Sequence, residues 1–186
     1  MKKRCLWVTN DPLYIEYHDT EWGVPVYDDD ELFEFLVLET FQAGLSWITV
    51  LKKRENFRHA FDNFNYHKIA NYSEDKFNEL IENKGIIRNK LKIKAAITNA
   101  QYFIKIQEEY GSFSKYIWAF VKGKPIKNTY HKREEVPATT NLSDKISKDL
   151  KKRGFKFVGS TVIYAYMQAI GMVNDHTTDC FRYNEV

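Results

Sequence analysis

Long apolar runs are missing from this chain of 186 residues. No stretch is long enough to span a membrane, and Met1-Lys2-Lys3-Arg4-Cys5 lacks the apolar region of a signal peptide. The expectation is a cytoplasmic protein without a membrane partner. Cysteine is scarce: Cys5 and Cys180 are the only two, too few for a disulfide framework. A strong excess of one charge is lacking as well. Lys and Arg number 28 against 25 Asp and Glu, a net charge of +3, so the total alone does not establish nucleic-acid binding. Only 4 prolines and 8 glycines interrupt the chain, and no apolar–polar alternation marks a strand. There is no internal repeat and no low-complexity tract. What remains is an all-α protein of one domain or two small lobes.

Aromatic residues are abundant by contrast, with 12 Tyr, 13 Phe and 4 Trp making 16% of the chain. That exceeds what a small core needs and leaves rings for a pocket or a stacking surface. The chain is organised around Glu39-Thr40-Phe41-Gln42-Ala43-Gly44-Leu45-Ser46-Trp47. Asp28, Asp29 and Asp30 offer an N-cap and first-turn acids, and Glu31 through Ala43 holds no proline or glycine, which predicts a helix. Leu32, Phe35 and Leu36 form an apolar stripe on which Glu39 falls, and Phe33, Val37 and Phe41 form a second stripe beside it. A helix so widely apolar is buried. Glu39 is then an inward carboxylate near a helix C-terminus, where the macrodipole disfavours it. Two readings stay open: a core-edge acid satisfied by a nearby Lys, Tyr or amide, or an acid at the floor of an aromatic pocket.

Elsewhere the pattern predicts a short helix from Pro12 to His18, capped by Asp11, with Tyr14 and Tyr17 on one face. Trp7, Tyr14, Tyr17 and Trp22 serve either the core or a stacked ligand. One helix is expected over residues 46–61, carrying the basic cluster Lys52-Lys53-Arg54. A short helix is possible around Ile69, and Ser73 caps another to about Asn83. A long helix then runs to about Glu109, with Leu91, Ala95, Ile97, Tyr102 and Ile104 inward. The glycine turn Asn83-Lys84-Gly85-Ile86-Ile87-Arg88-Asn89 joins these two. Free backbone N–H groups and Arg88, Lys90, Lys92 and Lys94 at the second helix's start suit a DNA phosphate. A solvated helical hairpin with surface lysines is the rival reading. Ser112 to Val121 is helical, Lys122 to Thr140 is irregular, and two further helices run from Asn141 or Ser143 to Lys151 and from Ser160 or Thr161 to Gly171. Val173 to Val186 is a tail.

Cys5 is followed by His18, and His176 precedes Cys180 by the spacing of one helical turn. Two thiolates and two imidazoles make a closed tetrahedral set suited to one structural zinc ion, which would tie the two ends of the chain together. Inert buried thiols, or a Cys5–Cys180 disulfide that a cytoplasmic setting disfavours, are the alternatives.

Several segments carry a resemblance. They are Asp11-Pro12-Leu13-Tyr14 with Tyr17-His18-Asp19, Glu21-Trp22-Gly23-Val24-Pro25, the run from Gln42 to Arg54, Gly85-Ile86-Ile87-Arg88, the run from Lys151 to Gly159, and Asn174-Asp175-His176. Together they resemble the 3-methyladenine DNA glycosylase I family, a branch of the helix-hairpin-helix DNA glycosylases. The resemblance implies a two-lobed all-α unit over 1–186. A central lobe, about 46–138, would hold the helix-hairpin-helix; a second, about 1–45 with 139–186, would hold the zinc. It implies zinc on Cys5, His18, His176 and Cys180, a base pocket of Glu39 with Trp7, Tyr14, Tyr17, Trp22 and Trp47, and a DNA grip at Gly85, Ile86 and Arg88. Leu45, at the turn beside the pocket, would fill the gap left by an extruded base.

The expected activity is hydrolysis of the N-glycosidic bond of 3-methyladenine in alkylated double-stranded DNA. A monomer would act on DNA and release the free base. A non-catalytic zinc-stapled module for alkylated or distorted DNA is the alternative. An enzyme acting on a free purine-like cation is a third, which the basic hairpin disfavours.

Overall fold

Three successive aspartates set the central helix. The computed structural model describes residues 2–186. The Asp28 carboxylate accepts from the Asp30 and Glu31 N–H groups and starts α2, Asp29–Gln42. Asp29, one residue later, accepts from the Phe113 and Ser114 N–H groups at 2.9 and 2.7 Å and so fixes the start of α8, Phe113–Ala119. From Leu32 to Phe41 only Glu34 on α2 escapes burial. The helix is therefore enclosed, as its two apolar stripes predict.

The enclosing elements are α1, Pro12–Thr20; α3, Trp47–Leu51; α4, Arg54–Ala60; α5, Tyr66–Ile69; α6, Glu74–Glu82; α7, Lys90–Tyr110; α9, Asn141–Arg153; and α10, Ser160–Ala169. The fold is predominantly helical, and α2 packs on α3, α7, α8 and α10. Two predicted caps are in place, Asp11 on α1 and Ser73 on α6, whereas α9 is opened by Thr140, one residue before the expected Asn141, in a reciprocal box with Ser143. No helix among the described residues is long and apolar enough to cross a membrane.

Three expectations need correction. The single helix over 46–61 is two, broken at Lys52-Lys53. The break sends the basic cluster three ways: Lys52 pairs with Asp11 at 2.7 Å, Lys53 reaches the Gly85 carbonyl at 3.3 Å, and Arg54 bridges Glu21 and Glu34. The face of α7 is also partly rotated: Ala95 is buried as expected, but Ile97, Tyr102 and Ile104 are only half-buried. Leu91 is 68% exposed, whereas Lys92, Ile93, Ala96, Ala100 and Phe103 are buried. Lysine can face inward here because its ammonium finds two carbonyls, Phe41 O at 2.8 Å and Ala43 O at 2.5 Å, while its stem packs as hydrocarbon. Lastly, a short parallel bridge pairs β1, Ile126–Lys127, with β2, Val173–Asn174. Two residues are too few to show alternation. The supposed tail is thereby a built part of the fold, with Val173 through Thr177 buried.

Gly171 closes α10 onto the N-terminal segment. Its φ is +68°, and a Cβ there would lie 2.4 Å from the Val24 carbonyl carbon and 2.5 Å from the Pro25 nitrogen. Only glycine allows that approach, which brings residues 22–26 beside the loop that carries His176.

Candidate active site and metal centre

Glu39 is 3% exposed on the inner face of α2, and its Oε2 has no hydrogen-bond partner among the described residues. No lysine, tyrosine or amide satisfies that oxygen. Burial alone pushes the carboxyl up to about 8. The acid borders a cavity of about 470 Å³, a size that suits a small ligand.

The pocket walls bring together all five aromatic residues singled out from the sequence. Trp7 lies 5.0 Å from both Tyr14 and Trp22, and Tyr17 lies 5.3 Å from Trp47, centroid to centroid. Tyr17 is buried, and its phenol is pushed upward by burial and then by the nearby Glu39. The indole N–H of Trp47 is buried without an acceptor. The lining thus holds an unpaired acceptor, an unpaired donor and several ring faces. That combination suits a flat, heteroatom-bearing cation: the carboxylate accepts its N–H groups and the ring faces attract its charge.

Sequence reasoning missed a further part of the wall. Gln168, Asp175, Arg133, Val136 and Pro137 also line the cavity. Asp175 is buried and accepts from Tyr164 Oη at 2.5 Å, Gln168 Nε2 at 2.9 Å and Asn128 Nδ2 at 2.7 Å. Through these bonds it clamps its part of the wall together. Its place beside His176 in the quoted motif was the available signal. Nothing local in sequence marks the 133–137 wall.

Behind the pocket, the side chains of Cys5, His18, His176 and Cys180 converge, with one donor atom from each lying within 4.8 Å of the others. Three sulfur–nitrogen separations, Cys5–His176, Cys180–His18 and Cys180–His176, are each 3.5 Å. Zinc bonds of about 2.3 Å to sulfur and about 2.0 Å to nitrogen at tetrahedral angles place such atoms about 3.5 Å apart. The outer ring nitrogens are also set. His18 Nδ1 meets Asp19 Oδ1 at 2.8 Å, and His176 Nε2 meets the Trp22 carbonyl at 3.0 Å. Each leaves its other nitrogen facing the thiols, the orientation a metal-bound imidazole takes. Arg4 holds Asp19 in turn at 2.6 Å. The neighbouring Cys180 side chain and burial push the Cys5 thiol up, and the Cys5 side chain pushes the Cys180 thiol down. His176 and Cys180 approach through a turn, with the Cys180 N–H on the Thr177 carbonyl at 2.8 Å, and not along a helix as the spacing suggested.

The turn after α2 presents Leu45, which is 40% exposed. Gly44 takes φ +80°, and Gln42 spans the turn by donating to the Leu45 carbonyl at 3.0 Å. Lys92 ties the same turn to the first turn of α7. The segment between α6 and α7 is equally shaped. The Gly85 N–H is held by Asn83 Oδ1 at 2.8 Å, the Ile86 N–H donates to the Asn83 carbonyl, and the Ile86 side chain is buried. Arg88 is exposed, with Lys84 and Lys90 near it in sequence. Lys92, expected in that surface cluster, is inside instead.

The family described as methyladenine glycosylase matches residues 7–183. The chain is 49% identical over 181 residues to DNA-3-methyladenine glycosylase 1 of Escherichia coli, with 97% of each chain covered. It is 47% identical over 180 residues to DNA-3-methyladenine glycosylase of Haemophilus influenzae, again covering 97% of each. A crystal structure of 3-methyladenine DNA glycosylase I superposes with TM-score 0.94 at 51% identity, covering 96% of this chain and 98% of that one. The Staphylococcus aureus enzyme, solved for the structural basis of its 3-methyladenine recognition, superposes with TM-score 0.93 at 38% identity, covering 96% and 95%. Fold and pocket therefore fall in one class, the enzymes that cut N-glycosyl bonds. Within that class, the chain belongs to the methyladenine glycosylase family.

Proposed function

We propose that this enzyme hydrolyses the N-glycosidic bond of 3-methyladenine in alkylated double-stranded DNA, as a monomer in the cytoplasm, and releases the free base. The observation that carries the reading is the buried, unpartnered Glu39 Oε2 in a ring-lined pocket. A carboxyl pushed up to about 8 is mostly neutral at pH 7, and ionising it there costs about 1.4 kcal/mol. A base methylated at N3 is cationic. At about 4 Å and an effective dielectric of about 20, its attraction to a carboxylate is about 4 kcal/mol. The cation therefore wins and ionises Glu39 as it binds. Neutral adenine offers no such return, which makes the pocket a charge filter.

The nucleotide leaves the stack to enter the pocket, and Leu45 fills the space behind it. The C1′–N9 bond breaks, and its electron pair stays on the base and neutralises it. The oxygen of water bonds to C1′ and gives its proton to solvent. The sugar cation between these events is stabilised mainly by DNA phosphates. Glu39, Trp7, Tyr14, Tyr17, Trp22 and Trp47 hold and orient the base. The α6–α7 unit acts as a helix-hairpin-helix, with Gly85 and Ile86 shaping the turn and Arg88 meeting phosphate. The pocket sits where a central lobe, about 46–138, meets a lobe of 1–45 and 139–186.

Cys5, His18, His176 and Cys180 would hold one structural zinc ion. With four protein ligands it would take no part in the reaction and would staple the two ends of the chain together.

Single-turnover release from methylated DNA tests the reading. Glu39→Gln is expected to release 3-methyladenine at least about tenfold more slowly, the scale of losing one charge-assisted hydrogen bond. It should also lose preference for the cationic base over neutral adenine, because glutamine carries no charge to answer the cation. A variant with wild-type rate and selectivity would remove Glu39 from the mechanism.

A further inference from the structure

The wall that sequence reasoning missed is the far end of a strap, residues 126–137, that reaches the pocket with its exposed Arg133. Residues 126–131 are fastened to the loop that carries His176. The Ile126 N–H donates to Met172 O at 2.9 Å, the Asn128 N–H to Asn174 O at 3.1 Å, and the Thr178 N–H to Tyr130 O at 2.8 Å. Side chains add Asn128 to Asp175 at 2.7 Å and His131 to Thr178 at 3.0 Å. Beyond this fastening, Arg133, Val136 and Pro137 form the rim. Arg133 is exposed, and its guanidinium makes no hydrogen bond or ion pair among the described residues, whereas Arg4, Arg54, Arg58, Arg153 and Arg182 each have an acid partner. Of its neighbours, Glu135 already accepts the His131 N–H. The charge of Arg133 reaches the Tyr14 phenol on the pocket wall, where it opposes the upward push of burial.

An unpaired guanidinium at the mouth of a cation-binding pocket is a standing repulsion against the ligand. It is resolved if an anion arrives together with the cation. A nucleotide entering base first leaves its own phosphates at the rim, and a planar guanidinium matches a phosphate with two parallel hydrogen bonds. We infer that Arg133, held over the mouth by the 126–137 strap, grips a backbone phosphate of the extruded nucleotide. The inference rests on the glycosylase reading and adds a DNA contact outside the hairpin. It makes the strap a part of substrate selection: a damaged base attached to DNA brings both a cation for Glu39 and a phosphate for Arg133, and a free base brings neither.

The test compares wild type, Arg133→Gln and Arg133→Lys with two probes, a duplex containing one tetrahydrofuran abasic-site analogue and free 3-methyladenine. Arg133→Gln should bind the duplex about tenfold more weakly, and its plot of log K against log salt should be shallower by about one. Its affinity for the free base, which is neutral once released, should stay the same, which also shows that the pocket is intact. Arg133→Lys should restore the salt slope without the full affinity, because an ammonium lacks the paired donors. An unchanged slope in Arg133→Gln overturns the inference, and so does an equal loss for duplex and free base, which marks a role in holding the pocket. A wild-type protein that releases no 3-methyladenine from methylated DNA instead overturns the glycosylase reading itself.

Discussion

Replacing Glu39 by glutamine should make the empty protein more stable above neutral pH. The carboxyl titrates near 4.5 in the unfolded chain and near 8 in the folded one, with burial as the cause. Between those values the folded state keeps a proton that the unfolded state has lost, so stability falls as pH rises from about 4.5 to about 8. At about 1.36 kcal/mol per pH unit, the full difference corresponds to roughly 5 kcal/mol, an upper bound because a buried site relaxes around its charge. Glutamine keeps nearly the same shape and carries no charge at any pH. Urea unfolding of both proteins at pH 5 and pH 8.5 isolates the effect, since every other titrating group cancels between them. The two should agree within about 1 kcal/mol at pH 5, and the glutamine variant should lead by about 3 kcal/mol or more at pH 8.5. Parallel pH profiles would refute the reasoning, because they would mean that Glu39 already has a partner or open access to water.

Other outcomes follow from single contacts. The purified protein should hold one zinc per chain by atomic emission, and Cys180→Ser should lose both the metal and much of its thermal stability. Lys92→Met strips the ammonium from the Phe41 and Ala43 carbonyls; urea unfolding should register a loss of about 1 to 3 kcal/mol, and base release should slow as the Leu45 turn loosens. Gly171→Ala forces a Cβ into the Val24–Pro25 backbone at positive φ and should cost about 2 to 4 kcal/mol by the same measurement.

The central helix was legible because two independent signals agreed, the Asp28 cap and the apolar stripes around Glu39. The four converging Cys and His residues were legible as residue types, although the chain brings His176 and Cys180 together by a turn and not by the helix their spacing suggested. The five pocket rings were visible only as candidates, since periodicity cannot separate a core ring from a lining ring. What stayed hidden depends on tertiary partners. Lys92 points inward because two carbonyls from α2 await it, and Leu91 is displaced to the surface. The strap leaves no pattern, because its form comes from bonds to residues 172–178, more than forty positions away. Arg133 could not be placed at the pocket without them.

The account stands most directly on the spectrum of bases released from alkylated DNA. DNA treated with a methylating agent is incubated with the folded protein, and the soluble products are separated by chromatography. Free 3-methyladenine is expected, with 7-methylguanine left in the polymer. A folded, zinc-bearing protein that binds this DNA and releases no base would contradict it and leave a damage-binding module in its place.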